Sequence, residues 1–174
     1  LSLDLIGQAT SILEYAGKVE GKGRSEDDLA FLRFDKDYRN LLLVERPNGD
    51  FGVTIMRQFL FDAYRKPLFE RLVHSSDEMV AAIAAKSLKE TKYHLKHSSE
   101  WVIRLGDGTE ESHNRIQEAL NELWKYAAEI FYEDAVDAEL KSNGVLPDMD
   151  TFKSDWEQIV HGVLEEATLK IPDN

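Results

Sequence analysis

Glu90, His94 and His97 occupy positions i, i+4 and i+7, so on a helix they share one face with Ile83 and Trp101. One acid and two imidazoles in that pattern are a donor set for a divalent metal. A metal site inside a helical bundle also needs carboxylates from facing helices, and the sequence offers Asp62, Asp4 and Glu14. Asp62 lies among Ile55, Phe59 and Phe69 on neighbouring turns. That placement predicts a partly buried carboxylate in need of a cation or hydrogen-bond donors. The competing reading is plain: acids and histidines on a long helix commonly serve as surface or inter-subunit hydrogen-bonding groups.

A second pattern is Glu110-Glu111-Ser112-His113, which contains one Glu-x-x-His spacing. Side chains three apart converge on one ion, and carboxylate-type metal bundles use this spacing twice. A single copy is weak evidence, because an acid at Glu110 is also favoured in the first turn of a helix. The sequence has no Gly-rich phosphate loop, no Gly-x-Ser-x-Gly elbow and no His-Glu-x-x-His motif. Ser98 and Ser99 adjoin His97 but diverge around a helix, so no nucleophile–base pair is expected there. Lys86, Lys89, Lys92 and Lys96 alternate with acids, as on a solvated helix face.

The elements that position these residues are helical. The 174 residues include four prolines, and the ten glycines fall mainly at expected breaks: Gly21 and Gly23, Gly49 and Gly52, Gly106 and Gly108, and Gly144. Between them run segments rich in Ala, Leu, Glu, Lys and Arg, all good helix formers. A first helix is expected over residues 1–20, its stripe made of Leu1, Leu5, Gln8, Ile12, Tyr15 and Val19. Ser25 is the expected cap of a short helix beginning at Glu26, and residues 29–46 read as broken helical pieces forming a crossover. The turn Pro47 to Asp50 precedes a helix over about 51–74. The next helix, about 77–105, carries Ala84, Leu88, Thr91, Leu95, Ser98, Val102 and Leu105 at alternating steps of four and three. Thr109 caps a fourth long helix expected to continue to about 142, and Asp150 is the expected cap of a last one over about 151–168. The fold class is all-α, a single domain over residues 1–174.

Composition narrows the function classes. With 33 acidic and 21 basic residues the net charge is −12, against general nucleic-acid binding. No cysteine is present, which removes thiolate metal sites, disulfides and a cysteine nucleophile. No apolar run approaches the roughly 20 residues needed to span a bilayer. With no export signal, a cytoplasmic location is expected.

Eight ordered stretches together resemble one family: Leu3 to Ala9, Glu20 to Arg24, Asp27 to Arg33, Arg39 to Glu45, Pro47 to Phe51, Arg57 to Ala63, Tyr93 to Ser98, and Arg104 to His113. They are similar to the C subunits of the bacterial phenylacetyl-CoA 1,2-epoxidases, densely over residues 1–135 and more thinly beyond. The resemblance implies a ferritin-like up-down bundle with a long crossover. It implies partners as well: a homologous catalytic A subunit that carries a di-iron centre, a small B subunit and a flavin/iron–sulfur reductase. This chain would then be a structural subunit in aerobic phenylacetate catabolism, with no cofactor of its own.

The same resemblance marks a degenerate metal site. Where the catalytic relative has Glu-x-x-His pairs, this chain places Leu5 and Gln8 on one helix and Thr91 and His94 on another, with Asp62 facing them. Leu, Gln and Thr cannot offset the charge of two irons. If Asp62 and Glu90 face the bundle centre, Lys66 or Lys92 is expected to supply the balancing charge. The resemblance further implies a helix before Leu1 and a segment after Asn174. A chain without them would leave the apolar stripe of its first helix uncovered and prone to self-association as a homodimer. Two other readings stay open: a metal-binding ferritin-like oxidoreductase using Asp62, Glu90, His94, Glu110 and His113, and a helical interaction module unrelated to oxygenases.

Overall fold

A computed structural model describes residues 1–172. Among them are eight α-helices and no strand: α1 Ser2–Glu20, α2 Glu26–Phe31, α3 Leu42–Glu45, α4 Phe51–Leu72, α5 Glu78–Gly106, α6 Glu110–Leu123, α7 Ala135–Ser142 and α8 Asp150–Glu166. The all-α expectation holds, and so do most boundaries, because the local chemistry at the helix ends is strong. The Ser25 hydroxyl accepts from the Asp28 amide while the Asp28 carboxylate accepts from the Ser25 amide, a reciprocal cap that fixes the start of α2. Asp50, Asp77 and Thr109 cap α4, α5 and α6 through the same kind of bond. Gly21 at φ 70° ends α1 in the left-handed conformation that glycine adopts without steric cost.

α4 and α5 form a long antiparallel hairpin, and α4 is the central element of the bundle. One side of α4 packs against α6 and α8 in the apolar core. Met56, Phe59, Leu60, Ile116, Leu120, Leu123, Phe152, Val160 and Leu164 are fully buried there. Trp156 joins them, its indole nitrogen donating to the Leu60 carbonyl at 3.1 Å. The other side of α4, with the facing stripe of α5, carries polar groups at the same depth and is covered by α1. At the far end, Gly106 of α5 sits so close to Ala167 that an added Cβ would run into the Ala167 carbonyl.

Three sequence expectations need correction. The helix beginning at Glu110 stops at Leu123 instead of reaching about 142. Residues 124–131 wind as tighter 3₁₀ turns, with Trp124 stacked on Trp156 at 5.9 Å and Phe131 edge-on to it at 5.5 Å. Tyr132 is then extended, and Asp134 caps α7 as a new helix. Second, Asp150 is the first residue of α8 and not its cap; Met149 holds the cap position, and the Asp148 carboxylate accepts from the Asp150 amide at 3.1 Å.

Third, the buried stripe of α5 runs through Ala84, Ser87, Thr91, His94, Ser98 and Val102. Leu88, Leu95 and Leu105 are half-buried and pack against the edge of the apolar core, while Glu90 and His94 meet Gln8 and Asp4 of α1. The stripe on α1 is uncovered, as expected: of its residues only Gln8 is buried. Leu5 and Tyr15 are half-buried, while Leu1, Ile12 and Val19 are exposed, together with Leu3 and Ile6. α1 is therefore held by polar bonds more than by apolar packing.

Candidate functional site

The polar groups inside the bundle form one connected layer across α1, α4 and α5. Asp62, on α4, is fully buried. It accepts from the Gln58 amide at 2.8 Å and from the Ser98 hydroxyl at 3.1 Å. Arg65, three residues further along the same helix, places Nη1 3.6 Å from Oδ1 of Asp62. Its Nη2 donates to the side-chain oxygen of Gln8, and the Gln8 amide donates to Glu90 at 2.6 Å. A continuous chain thus runs Asp62, Arg65, Gln8, Glu90, tying three helices together. The guanidinium also lies beside two aromatic rings, 5.5 Å from Phe61 and 5.4 Å from Phe69.

His94 belongs to the same layer. Its Nε2 is 2.8 Å from the Asp4 carboxylate, so Nε2 carries the proton of that bond and Nδ1 is left without a partner. The Thr91 hydroxyl and Arg65 Nη1 likewise have no hydrogen-bond partner in the protein. The electrostatics follow from burial. Desolvation pushes the Asp62 carboxyl up, while Gln58, Arg65, Ser98 and His94 pull it back. Desolvation also lowers Arg65, against the opposing fields of Asp62 and Glu90. Asp4 is held below the usual carboxylate range, chiefly by the bond to His94.

The sequence candidates separate cleanly in space. Gln8, Asp62, Glu90, Thr91 and His94 come together in the layer, and half-buried Leu5 lies on α1 one turn before Gln8. Glu90, His94 and His97 do not converge on one point: Glu90 faces Gln8, His94 faces Asp4, and His97 stacks on Tyr93 with ring centres 6.4 Å apart. Glu110 is exposed, and His113 Nδ1 bonds the Gly106 carbonyl at 2.7 Å, satisfying the end of α5. Glu14 pairs with Lys18 on the surface. The expected lysine counter-charge is corrected as well. Lys66 and Lys92 both reach Glu70, at 3.0 and 3.8 Å, near the surface. The cation in the interior is Arg65, which its i+3 spacing from Asp62 could have revealed.

The donor set does not suit a carboxylate-bridged pair of irons. Among the described residues no three acidic or histidine side chains stand close enough to hold one metal ion. The bridging role needs carboxylates free to bind, but Asp62 is taken by Gln58, Ser98 and Arg65 and Glu90 by Gln8. What the arrangement can do is hold α1 in place and fix the α4–α5 register. Apart from the layer, an apolar cavity of about 390 Å³ opens between α1, the end of α4 and the start of α5, lined by Ile12, Val19, Phe69, Leu72 and Val80. Among the described residues no helix is long and apolar enough to cross a membrane.

Known proteins resemble this chain along its whole length. The family described as phenylacetic acid catabolic protein matches residues 1–174. A curated relative, the C subunit of the 1,2-phenylacetyl-CoA epoxidase of Escherichia coli (strain K12), is 46% identical over 172 residues, covering 99% of this chain and 69% of the relative.

Proposed function

Because the chain belongs to the phenylacetic acid catabolic protein family, we propose that it is a non-catalytic structural subunit of a multicomponent di-iron phenylacetyl-CoA epoxidase. In this reading it supports a homologous catalytic subunit that carries the iron, with a small B subunit in the full complex. Its own bundle, ferritin-like in plan, serves as a rigid docking body without a cofactor. One observation carries the reading: Gln8, Asp62 and His94 are engaged by internal hydrogen bonds and an arginine, and Thr91 beside them carries no charge. Oxygen activation at paired irons needs ionised carboxylates that bridge and balance the metals. Here neutral Gln8 and Thr91 stand in the layer, and its two inward carboxylates are already engaged.

The surface supports the assembly half of the proposal. Phe31, Leu32 and Phe34 fall within four residues at the end of α2 and just beyond it, each about three-quarters exposed. Large apolar side chains clustered in this way on a strongly acidic chain fit a surface that meets another protein. The experiment is co-expression with the catalytic subunit, followed by pull-down and epoxidation assays with and without this chain. The reading expects a stable complex, activity that depends on this chain, and no turnover by this chain alone. Turnover by the isolated chain, or unchanged activity in its absence, would overturn it.

A further inference from the structure

We propose that the Arg65 guanidinium is a fixed internal cation that does in this bundle what a bound metal ion would otherwise do: it balances the buried Asp62 carboxylate and locks the surrounding helices together. This goes deeper into the support-subunit reading and rests on it.

The geometry is specific. Asp62 is fully buried and Arg65 is 5% exposed. A carboxylate at that depth is unfavourable unless a positive charge or several donors meet it. Asp62 has two donors, Gln58 and Ser98, and one charge, Arg65 at 3.6 Å. From α1 the other groups facing the layer are Gln8 and Asp4; from α5 they are Glu90, Thr91, His94 and Ser98. Asp4 is engaged with His94, and the nearby lysines, Lys66 and Lys92, are engaged with Glu70 at the rim. Arg65 is consequently the one permanent cation of the layer among the described residues.

A guanidinium suits this place better than an ammonium. It is planar and weakly hydrated, so it tolerates the position beside Phe61 and Phe69. Its fork divides between two tasks, one nitrogen directed at Asp62 and the other donating to Gln8. Through Gln8 the influence passes to Glu90 on α5. Charge balance and helix clamping are both things a metal ion does in a bundle, and here one side chain performs them without open coordination positions.

The test is a carbon-detected NMR titration of the Asp62 carboxyl in the full chain and in Arg65→Met, with Lys66→Met as a control that removes a cation of the rim. The proposal expects the Asp62 midpoint to rise by about one pH unit or more in Arg65→Met, a tenfold change in proton affinity, and to stay in place in Lys66→Met. An unmoved midpoint in Arg65→Met, or an equal rise in both variants, overturns it. If Arg65→Met does not fold, Arg65→Lys decides. A midpoint near the parent value, with faster amide exchange in α1 from loss of the fork, supports the proposal, and a rise of a full unit contradicts it. These readouts concern the chain's own carboxylate, so they can fail while the support-subunit reading stands. Turnover by the isolated chain would sink that reading without altering the Asp62 titration.

Discussion

Arg65 lies one helical turn from Asp62 on α4, with Nη1 3.6 Å from Oδ1 and side-chain exposures of 6% and 0%. A pair this deep is unlike the surface ion pairs of α1 and α5, which solvent screens. Breaking it from one side strands the other charge in the interior. Arg65→Met alone and Asp62→Leu alone should each lower stability by about 3–5 kcal/mol. The double variant should lose less than the sum, with a coupling of about 2 kcal/mol. Urea denaturation of the four chains measures this; strictly additive losses would show that the two groups do not act as a pair.

Acid should loosen α1 first. Asp4 is lowered mainly by His94, Asp77 mainly by the Tyr15 hydroxyl, and Glu20 to about 2 mainly by Arg24. For a carboxyl whose folded value is depressed, the stability is present above its unfolded value and is lost as pH falls through the folded one. The window for Glu20 is therefore from its ordinary 4.5 down to about 2. Asp62 has the opposite sign: its raised value means that protonation does not oppose folding. Amide exchange followed from pH 6 downward should show residues 2–20 losing protection before α4. Simultaneous loss in both helices would contradict this order.

Gly106→Ala should separate the ends of α5 and α8. The new methyl meets the Ala167 carbonyl and lies 2.9 Å from the Ala167 Cβ, and neither is the end of a flexible side chain. Overpacking of this kind costs about 1–3 kcal/mol. Gly162→Ala is the control, since nothing lies within 4 Å of its added Cβ. Thermal melts should fall for the first variant and stay level or rise for the second.

The exposed crossover residues give a prediction about assembly. Replacing Phe31, Leu32 and Phe34 with serine should leave the melting temperature nearly unchanged, because these side chains bury little surface in the isolated chain. Recovery of the catalytic subunit in a pull-down should drop at least tenfold. Full recovery would place the contact elsewhere.

Much of the frame was legible in the sequence because it is written in local rules. Ser25, Asp50, Thr109 and Gly21 announce helix ends by their own hydrogen bonds or dihedral preferences. The break after Leu123 was hidden, since its cause is a tertiary one: Trp124 and Phe131 turn away from helical geometry to pack on Trp156, a residue far along the chain. The need of Asp62 for partners could be read from its apolar neighbours. The i+3 spacing made Arg65 a candidate cation, but Lys66 stands at i+4 from Asp62 and only the fold sends it to Glu70. The bond between Asp4 and His94 spans ninety positions and left no local signal.

The central claim is that this bundle fills its polar interior with its own side chains and leaves iron chemistry to a partner. Equilibrium dialysis of the purified chain against iron(II) under nitrogen, with bound iron counted by mass spectrometry, tests it directly. The account predicts far less than one iron per chain and no change on substituting His94. Two irons per chain, lost in His94→Ala, would contradict it.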